Sequence, residues 1–385
     1  MKRRAWILVV CCLLVGLLPQ RVCGAALEVA GKSAVLMDVE TGTVIYESNA
    51  HEALPPASVT KVMTMLLVME AIDSGVLGWE DTVTASETAA AKGGSQIYLK
   101  VGETMTVSDM VKSIAVSSAN DCACAMAEHL AGSEGAFVEL MNKRAKELGM
   151  NDTKFVNCTG LDDAPEAAEH KTSAYDIAVM SRQLLKNHPD IKKFTTIWMD
   201  TVRGGAFGLA NTNKMVRFYS GCTGLKTGFT SGAGYCLSSS AQRDGMELIA
   251  VVMGSQTSQE RFAACKSMLD YGFANFALYI PDLYEDASVS VELGKEKNVH
   301  AVPAEMAALL VEKTQLSSLT SSISLEESMR APVSKGQRLG TLTVKAGEQV
   351  LSQIPLVAEK SVERKGWGDI FVDLLRQVAM AKPAA

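Results

Sequence analysis

Residues 55–61 of the chain read Pro-Pro-Ala-Ser-Val-Thr-Lys (PPASVTK), and they introduce a strongly apolar segment. The run from Val62 to Ile72 (VMTMLLVMEAI) is apolar on nearly every side, which is typical of a helix buried in a core. Two prolines prevent a helix from entering from upstream, and Ser74-Gly75 predicts the helix end. Ser58 and Lys61 are one turn apart, so they share a face at the helix start. A lysine in a core is costly unless it is paired or takes part in chemistry.

Two further short motifs follow this S-x-x-K element along the chain. Ser118-Ala119-Asn120 lies at a break between two predicted helices within residues 107–131. Lys226-Thr227-Gly228 opens a predicted edge strand after a glycine-rich turn. An S-x-x-K element alone arises by chance about once in a chain of this length. The three motifs together, in this order and in these contexts, indicate acyl transfer through a serine.

With these motifs the chain resembles the low-molecular-mass penicillin-binding proteins, the serine D-alanyl-D-alanine carboxypeptidases of the peptidase S11 family. The resemblance runs from Ala26 to the C-terminus and includes GLKTG, AGY, VMG and APVSKGQRLGTL, at residues 224–228, 233–235, 252–254 and 331–342. It implies an α/β (α+β) penicillin-binding and β-lactamase-like transpeptidase fold, with a smaller C-terminal all-β domain and a terminal amphipathic helix. It also implies that the enzyme removes the terminal D-Ala from peptidoglycan stem pentapeptides through a Ser58 acyl-enzyme, and that β-lactam antibiotics inhibit it by covalent binding.

The catalytic roles follow from the chemistry of the motif side chains. Ser58 is the predicted nucleophile, and its hydroxyl is inert until a base removes the proton. Lys61 is the predicted base, because burial and the second cation Lys226 are expected to lower its pKa toward neutrality. The resemblance implies the same two roles. Ser118 is expected to relay a proton to the departing amine.

Substrate-binding roles are predicted for the remaining motif residues. The Asn120 amide is expected to hold the peptide backbone of the substrate, and Gly228 to let the substrate lie against its strand. The backbone N–H groups of Ser58 and Phe229 are expected to form the oxyanion hole. Some relatives carry histidine where Phe229 stands, which leaves the fine substrate preference open.

The end of the substrate is predicted to be read through its carboxylate. Lys226, Thr227 and Arg261 are placed as the carboxylate-binding residues of the family are. A hydroxyl and a guanidinium together recognise a terminal carboxylate well. This arrangement predicts a carboxypeptidase that acts on D-Ala-D-Ala ends.

Each assignment has an alternative. Lys61 could extend its amine to solvent, the residues of the second motif could be plain helix caps, and Arg261 could form a surface ion pair. At the level of function, the alternatives are a class A-like β-lactamase and a catalytically silent, penicillin-recognising wall-binding protein. The acidic loop 161–170 (LDDAPEAAEH) lacks the spacing of glutamate and asparagine that such a lactamase uses. His170, at the end of that loop, is predicted to belong to the scaffold.

Composition limits the classes of partner. The net charge of −6 and the pI near 5.6 argue against nucleic acid as the main partner. The five histidines show no metal-binding spacing, so neither a metal nor an organic cofactor is expected. Six cysteines lie beyond the leader described next, and the sequence leaves their disulfide state open.

The N-terminus is predicted to be a secretory signal peptide over residues 1–25. Lys2-Arg3-Arg4 precedes an apolar run from Ala5 to Leu18, and small residues follow at Gly24-Ala25-Ala26. The apolar run is too short to span a bilayer, since a span needs about 20 residues. The mature protein is therefore expected on the outer face of the cytoplasmic membrane or in the cell-wall space.

The pattern of predicted elements divides the remaining chain. A hairpin at 33–46, a helical middle and strands at 223–254 predict a sheet that joins both ends of a catalytic domain over residues 26–280. Short strands after Pro281 predict a smaller β-sandwich domain over residues 281–360. Residues 361–385 form a predicted amphipathic tail.

The tail carries an apolar stripe at helical spacing and is expected to lie at the membrane surface. The alternative is that this stripe packs onto the β-domain, because amphipathicity alone does not separate the two. The stripe consists of Trp367, Ile370, Phe371, Leu374, Leu375 and Val378.

Overall fold

The computed structural model describes residues 27–281, 287–305 and 308–380, with side chains described as far as residue 375. The predicted signal peptide, residues 1–25, lies outside the described residues. The helices found in the described part of the chain are α1 (Lys61–Asp73), α2 (Glu87–Ala90), α3 (Val107–Ser117), α4 (Asn120–Ala131), α5 (Glu134–Glu147), α6 (Ala174–Asn187), α7 (Lys192–Thr195), α8 (Met215–Phe218), α9 (Ser258–Asn275) and α10 (Trp367–Met380). Short 3₁₀ helices cover Ala57–Thr60, Pro165–Glu169, Pro189–Ile191 and Lys313–Ser318.

The strands among the described residues fall into two larger sheets and three two-stranded ones. They are β1 (Ser33–Asp38), β2 (Val44–Ser48), β3 (Thr82–Thr84), β4 (Thr104–Thr106), β5 (Met199–Val202), β6 (Phe207–Ala210), β7 (Cys222–Thr230), β8 (Gly234–Arg243), β9 (Met246–Ser255), β10 (Phe276–Tyr279), β11 (Ser288–Glu292), β12 (Asn298–Pro303), β13 (Leu309–Glu312), β14 (Leu319–Leu325), β15 (Ser328–Arg330), β16 (Arg338–Ala346) and β17 (Gln349–Ala358). The two-stranded sheets pair β3 with β4, β5 with β6, and β10 with β13.

The central sheet has five strands in the order β2-β1-β9-β8-β7, and all neighbouring pairs are antiparallel. Strand β1, near the start of the described chain, pairs with β9, so that Val35 lies opposite Val251. The prediction that one sheet joins the hairpin at 33–46 to strands at 223–254 is therefore confirmed. Strand β7, which carries the K-T-G motif, forms one edge of this sheet.

Both faces of the central sheet are covered. Alternate side chains of a strand point to opposite faces, so Val35 and Met37 belong to one core and Leu36 to another. The first core includes most of the helices, and α1 contributes side chains with no exposed surface, among them Met63 and Leu66. Helix α9 covers the second face. Each fully buried side chain of this size contributes about 1.5–3 kcal/mol to folding.

Between α9 and α10 the described residues form strands and one short 3₁₀ helix, Lys313–Ser318. A six-stranded sheet in the order β14-β16-β17-β12-β11-β15 encloses a separate apolar core that includes Val299, Leu342 and Leu356. Helix α10 follows this sheet. The predicted fold class, an α/β fold with a smaller C-terminal all-β domain and a terminal helix, is confirmed.

Candidate active site

Ser58 lies in a tight turn rather than in the α-helix itself. The 3₁₀ helix Ala57–Thr60 precedes α1, which begins at Lys61. Ala57 has a positive φ of 49°, a left-handed conformation that is uncommon for a residue with a side chain. This turn leaves Ser58 half-buried while its neighbours Ala57 and Val59 are buried.

The amine of Lys61 points at the Ser58 hydroxyl. Lys61 Nζ lies 2.9 Å from Ser58 Oγ and donates a second hydrogen bond of 2.8 Å to the Thr159 carbonyl oxygen. The side chain is completely buried, so the alternative in which it extends to solvent is wrong. Burial lowers the pKa of Lys61 to about 7, against the opposing influence of Cys158 and Asp121. A base of this pKa can take the serine proton at neutral pH.

The contribution of Lys226 to that pKa shift differs from the expectation. Burial accounts for the lowered pKa of Lys61. The repulsion acts on Lys226 instead, whose pKa is held well below its usual range by burial and then by the charges of Lys61 and Arg261. The charge of Lys226 is not among the causes of the lowered pKa of Lys61.

The second motif forms the junction between α3 and α4. Ser118 ends α3 in a left-handed conformation with φ 63°, and Asn120 is the first residue of α4. Ala119 occupies the N-cap position of α4 without a side-chain hydrogen bond, so Asn120 is not the cap of that helix. Ser118 is the C-cap of α3, and it caps the helix through its left-handed backbone and its N–H group. Both are buried, as groups that face a substrate rather than solvent would be.

The amide of Asn120 is only partly satisfied. Its Nδ2 donates to the Gly93 carbonyl oxygen at 2.7 Å, while its Oδ1 is buried without a hydrogen-bond partner among the described residues. A buried polar atom without a partner costs about 1–3 kcal/mol, so a donor that reached Oδ1 would gain a hydrogen bond. The protein thus fixes the Nδ2 side of the amide and leaves the accepting capacity of Oδ1 unused.

The K-T-G motif lies in the middle of edge strand β7 rather than at its start. Lys226 is buried and donates to the Thr227 carbonyl oxygen at 2.9 Å. The Thr227 hydroxyl donates to Thr212 Oγ1 at 2.7 Å, and the Thr212 backbone N–H donates to the Val116 carbonyl oxygen at 3.1 Å. Thr212 therefore links β7 to the end of α3, beside the second motif.

Gly228 is required for a reason that the sequence analysis did not give. A Cβ atom at this position would lie 2.6 Å from the Pro56 carbonyl oxygen and 3.2 Å from the Ser58 backbone nitrogen. The absent side chain lets β7 approach the turn that carries the nucleophile. The Phe229 ring, in contrast, is half exposed and stacks on Tyr235 with ring centroids 4.3 Å apart.

Arg261 lies on α9 and reaches into the central sheet. Its Nη1 donates to the carbonyl oxygens of Gly228 at 2.8 Å and Cys236 at 3.3 Å, and its guanidinium stacks on Tyr235. Its Nε is buried without a partner among the described residues. Arg261 is 8% exposed and its guanidinium donates to backbone carbonyl oxygens, which removes the surface-pair alternative.

Several contacts of the site come from residues that the sequence analysis did not select. Thr159 and Gly93 act through their carbonyl oxygens, which no side-chain pattern reveals. Only a weak sequence feature marks Thr212 as a candidate site residue, namely its position between two asparagines in Asn211-Thr212-Asn213. The six cysteines are free thiols in the structure. Within the ranges that the structure describes, no group of three or more potential metal ligands is found.

Comparisons with known proteins agree with this geometry. The family described as D-alanyl-D-alanine carboxypeptidase matches residues 20–257, and the C-terminal domain of penicillin-binding protein 5 matches residues 282–364. The chain is 44% identical over 344 residues to D-alanyl-D-alanine carboxypeptidase DacF of Bacillus subtilis (strain 168), with 87% of each chain covered.

Solved structures extend the likeness. Penicillin binding protein 5 from Haemophilus influenzae is 29% identical with a TM-score of 0.77, and the match covers 88% of this chain and 98% of that one. Penicillin-Binding Protein D2 from Listeria monocytogenes, in its ampicillin-bound form, is 32% identical with a TM-score of 0.59 and covers 64% of this chain and 99% of that one. The resemblance inferred from the motifs is confirmed, and the chain belongs to the D-alanyl-D-alanine carboxypeptidase family, peptidase S11.

Proposed function

We propose that the protein is a serine D-alanyl-D-alanine carboxypeptidase that removes the terminal D-Ala from peptidoglycan stem pentapeptides. The observation that carries this proposal is the 2.9 Å contact between Lys61 Nζ and Ser58 Oγ. A fully buried lysine with a pKa of about 7 is suited to accept the serine proton. The relatives named above support a carboxypeptidase over the β-lactamase and the silent wall-binding protein.

The proposed reaction has two stages. Ser58 Oγ transfers its proton to the neutral Lys61 amine and bonds to the carbonyl carbon of the penultimate D-Ala. The backbone N–H groups of Ser58 and Phe229 hold the resulting oxyanion. The C–N bond then breaks, and the departing D-Ala amine takes a proton that Ser118 relays. Water hydrolyses the ester in the second stage and restores the Ser58 hydroxyl.

One hydroxyl group and two basic side chains are proposed to bind the terminal carboxylate of the substrate. The Thr227 hydroxyl and the Lys226 amine lie on the strand that the substrate would follow, and Arg261 supports that strand from the adjacent helix. A negatively charged ligand would also stabilise the protonated form of Lys226, whose pKa burial and the neighbouring cations lower. Carboxylate binding and the charge of the site are therefore coupled.

The test is to identify the labelled residue. The full-length mature chain is incubated with penicillin, digested and examined by mass spectrometry, and the adduct is expected on Ser58. D-Ala release from diacetyl-lysyl-D-Ala-D-Ala is measured in parallel, with Ser58→Ala as the control that loses both signals. An adduct on another serine, or none, contradicts the proposed mechanism. Rapid hydrolysis of the penicillin adduct without D-Ala release would identify a β-lactamase instead.

The location of the enzyme is also a proposal. We propose that residues 1–25 direct export and that α10 holds the enzyme at the outer face of the cytoplasmic membrane. In the part of the chain that the structure describes, no helix is long and apolar enough to cross a membrane. The domain limits 26–280, 281–360 and 361–385 likewise remain predictions.

A further inference from the structure

The turn that carries the nucleophile is held by its own side chains. Ala57 adopts the left-handed conformation immediately before Ser58, which is strained for a residue with a side chain. Its carbonyl oxygen accepts a 2.8 Å hydrogen bond from the Thr60 hydroxyl. Thr60 is completely buried and directly precedes Lys61. The hydroxyl thus closes the turn from Ala57 to Thr60 around Ser58.

The Thr60 hydroxyl is itself oriented by His170. The Nδ1 atom of His170 accepts a hydrogen bond of 3.1 Å from the Val156 backbone N–H, and its Nε2 lies 2.7 Å from Thr60 Oγ1. Since Nδ1 accepts, a neutral ring carries its proton on Nε2 and donates to Thr60. Burial, and then the charge of Lys61, lowers the pKa of His170 to about 4, which keeps the ring neutral at pH 7. Thr60 therefore keeps its own proton for the Ala57 carbonyl oxygen.

The segment that precedes His170 also packs closely against this turn at Gly160. Gly160 has a φ of +81°, and a Cβ atom there would lie 1.8 Å from the Ala57 carbonyl oxygen. Its neighbour Thr159 supplies the carbonyl oxygen that accepts from Lys61 Nζ. The segment from Val156 to His170 thus holds both the turn of the nucleophile and the amine of the base.

We propose that Thr60 and His170 are positioning residues that fix the left-handed turn at Ala57 and so aim Ser58 Oγ at Lys61 Nζ. This inference rests on the proposed function, because it assumes that Ser58 is the nucleophile. His170 is then more than scaffold, since it selects the direction in which the Thr60 hydroxyl donates. Neither residue needs to touch the substrate to affect the rate of acylation.

The test compares two threonines of one helix region. Thr64 is also completely buried, and its hydroxyl donates to the Cys158 carbonyl oxygen at 2.7 Å, away from Ala57. Thr60→Val and Thr64→Val each remove a buried hydroxyl of this kind, while Thr60→Ser retains it. The acylation rate constant with a fluorescent penicillin, its reversible binding constant and the unfolding midpoint are measured for each variant.

Thr60→Val is expected to lower the acylation rate constant by about 10- to 100-fold with little change in reversible binding, because misaligned reacting atoms lose rate rather than affinity. Thr60→Ser is expected to stay near the wild-type rate. Thr64→Val is expected to lower the unfolding midpoint similarly but to keep its rate. Equal rates for the two valine variants, or no rescue by serine, overturn the inference.

His170→Phe is a second, independent variant. It tests the positioning role even if Thr60→Val fails to fold. It is expected to lower the acylation rate constant as Thr60→Val does, and the double variant is expected to lose no more than either single one. Multiplying effects would show that His170 does not act through Thr60. Labelling of wild-type Ser58 keeps the two proposals separate: its absence contradicts the proposed function, whereas its presence with unimpaired variants contradicts only the positioning role.

Discussion

The burial of Lys61 determines the pKa on which its role as a base depends. The side chain has no exposed surface, and desolvation lowers its pKa to about 7. A general base works only when unprotonated, so the acylation rate constant is expected to rise about tenfold per pH unit below pH 7 and to level off above it. Stopped-flow labelling with a fluorescent penicillin from about pH 5 to about pH 9 measures this profile. A flat profile over that range would show that Lys61 is not the titrating base.

The same burial should make Lys61 destabilising. Its folded pKa of about 7 lies below the ordinary value of 10.5, so the unfolded chain binds more protons between these values. The stability penalty is fully present below pH 7 and is relieved as the pH rises toward 10.5. Lys61→Met is expected to abolish acylation while raising the free energy of unfolding at pH 7 by about 1–3 kcal/mol. Urea denaturation measures this difference, and a loss of stability would contradict it.

A substitution of Arg261 distinguishes a role in carboxylate binding from a role in structural support. Arg261→Ala is expected to impair D-Ala release about 10- to 100-fold, and acylation by a β-lactam amide without the carboxylate much less, since a charge-assisted contact is worth about 1.5–3 kcal/mol. Steady-state turnover and labelling rates measure the two effects. Equal losses with both ligands would mean that Arg261 acts only by holding the Gly228 and Cys236 carbonyl oxygens.

At the scale of single residues, the sequence predicted side-chain chemistry and missed backbone geometry. The spacing of Ser58 and Lys61 was sufficient to place them together, because one helical turn brings such residues onto one face. Residue type does not reveal the left-handed conformation of Ala57 or the role of the Thr159 carbonyl oxygen. The role of Gly228 in substrate binding stays a prediction, and the close approach of β7 to the Ser58 turn gives a further reason for a glycine at this position.

At the scale of elements, long and strongly patterned segments were predicted well. The predicted break within residues 107–131 lies at the second motif, between α3 and α4. Strands β3 to β6 were missed, because three or four residues are too few to show an alternating pattern. The sequence pattern does not separate the 3₁₀ turn before α1 from the helix, since the periodicities of the two differ little over four residues.

The close approach of strand β7 to the turn before α1 predicts the effect of a substitution at Gly228. Gly228→Ala places a methyl group 2.6 Å from the Pro56 carbonyl oxygen, so the strand must move away from the Ser58 N–H. The acylation rate constant is expected to fall about tenfold or more, because the oxyanion donors separate. Gly232→Ala, in the turn after β7, is the matched control, since its methyl meets only the flexible end of Asp162 at 3.2 Å. Equal rates for both variants would contradict this account.

At the scale of the whole molecule, the sequence could not decide where α10 lies. An apolar stripe serves equally to bind a membrane and to pack onto a neighbouring domain. In the structure Trp367 is 90% exposed and Phe371 is 63% exposed, so these two rings do not pack onto the β-domain. The residues just before the helix are attached, since the Lys365 backbone N–H donates to the Leu293 carbonyl oxygen at 2.8 Å. The residues just before the helix are therefore held against the β-domain, while the two aromatic rings of the helix are exposed.

Removal of residues 367–385 should therefore separate membrane binding from folding. The truncated mature chain keeps Lys365 and the β-domain contacts, so its unfolding midpoint is expected to match that of the full mature chain. Its flotation with vesicles of phosphatidylglycerol and phosphatidylethanolamine is expected to be lost, because an interfacial helix binds through buried apolar area. Phe218→Ser removes an aromatic ring that is 73% exposed elsewhere on the surface, and this control should float as the full mature chain does. Unchanged flotation of the truncated chain, together with a large loss of stability, would show that α10 belongs to the β-domain and not to the membrane.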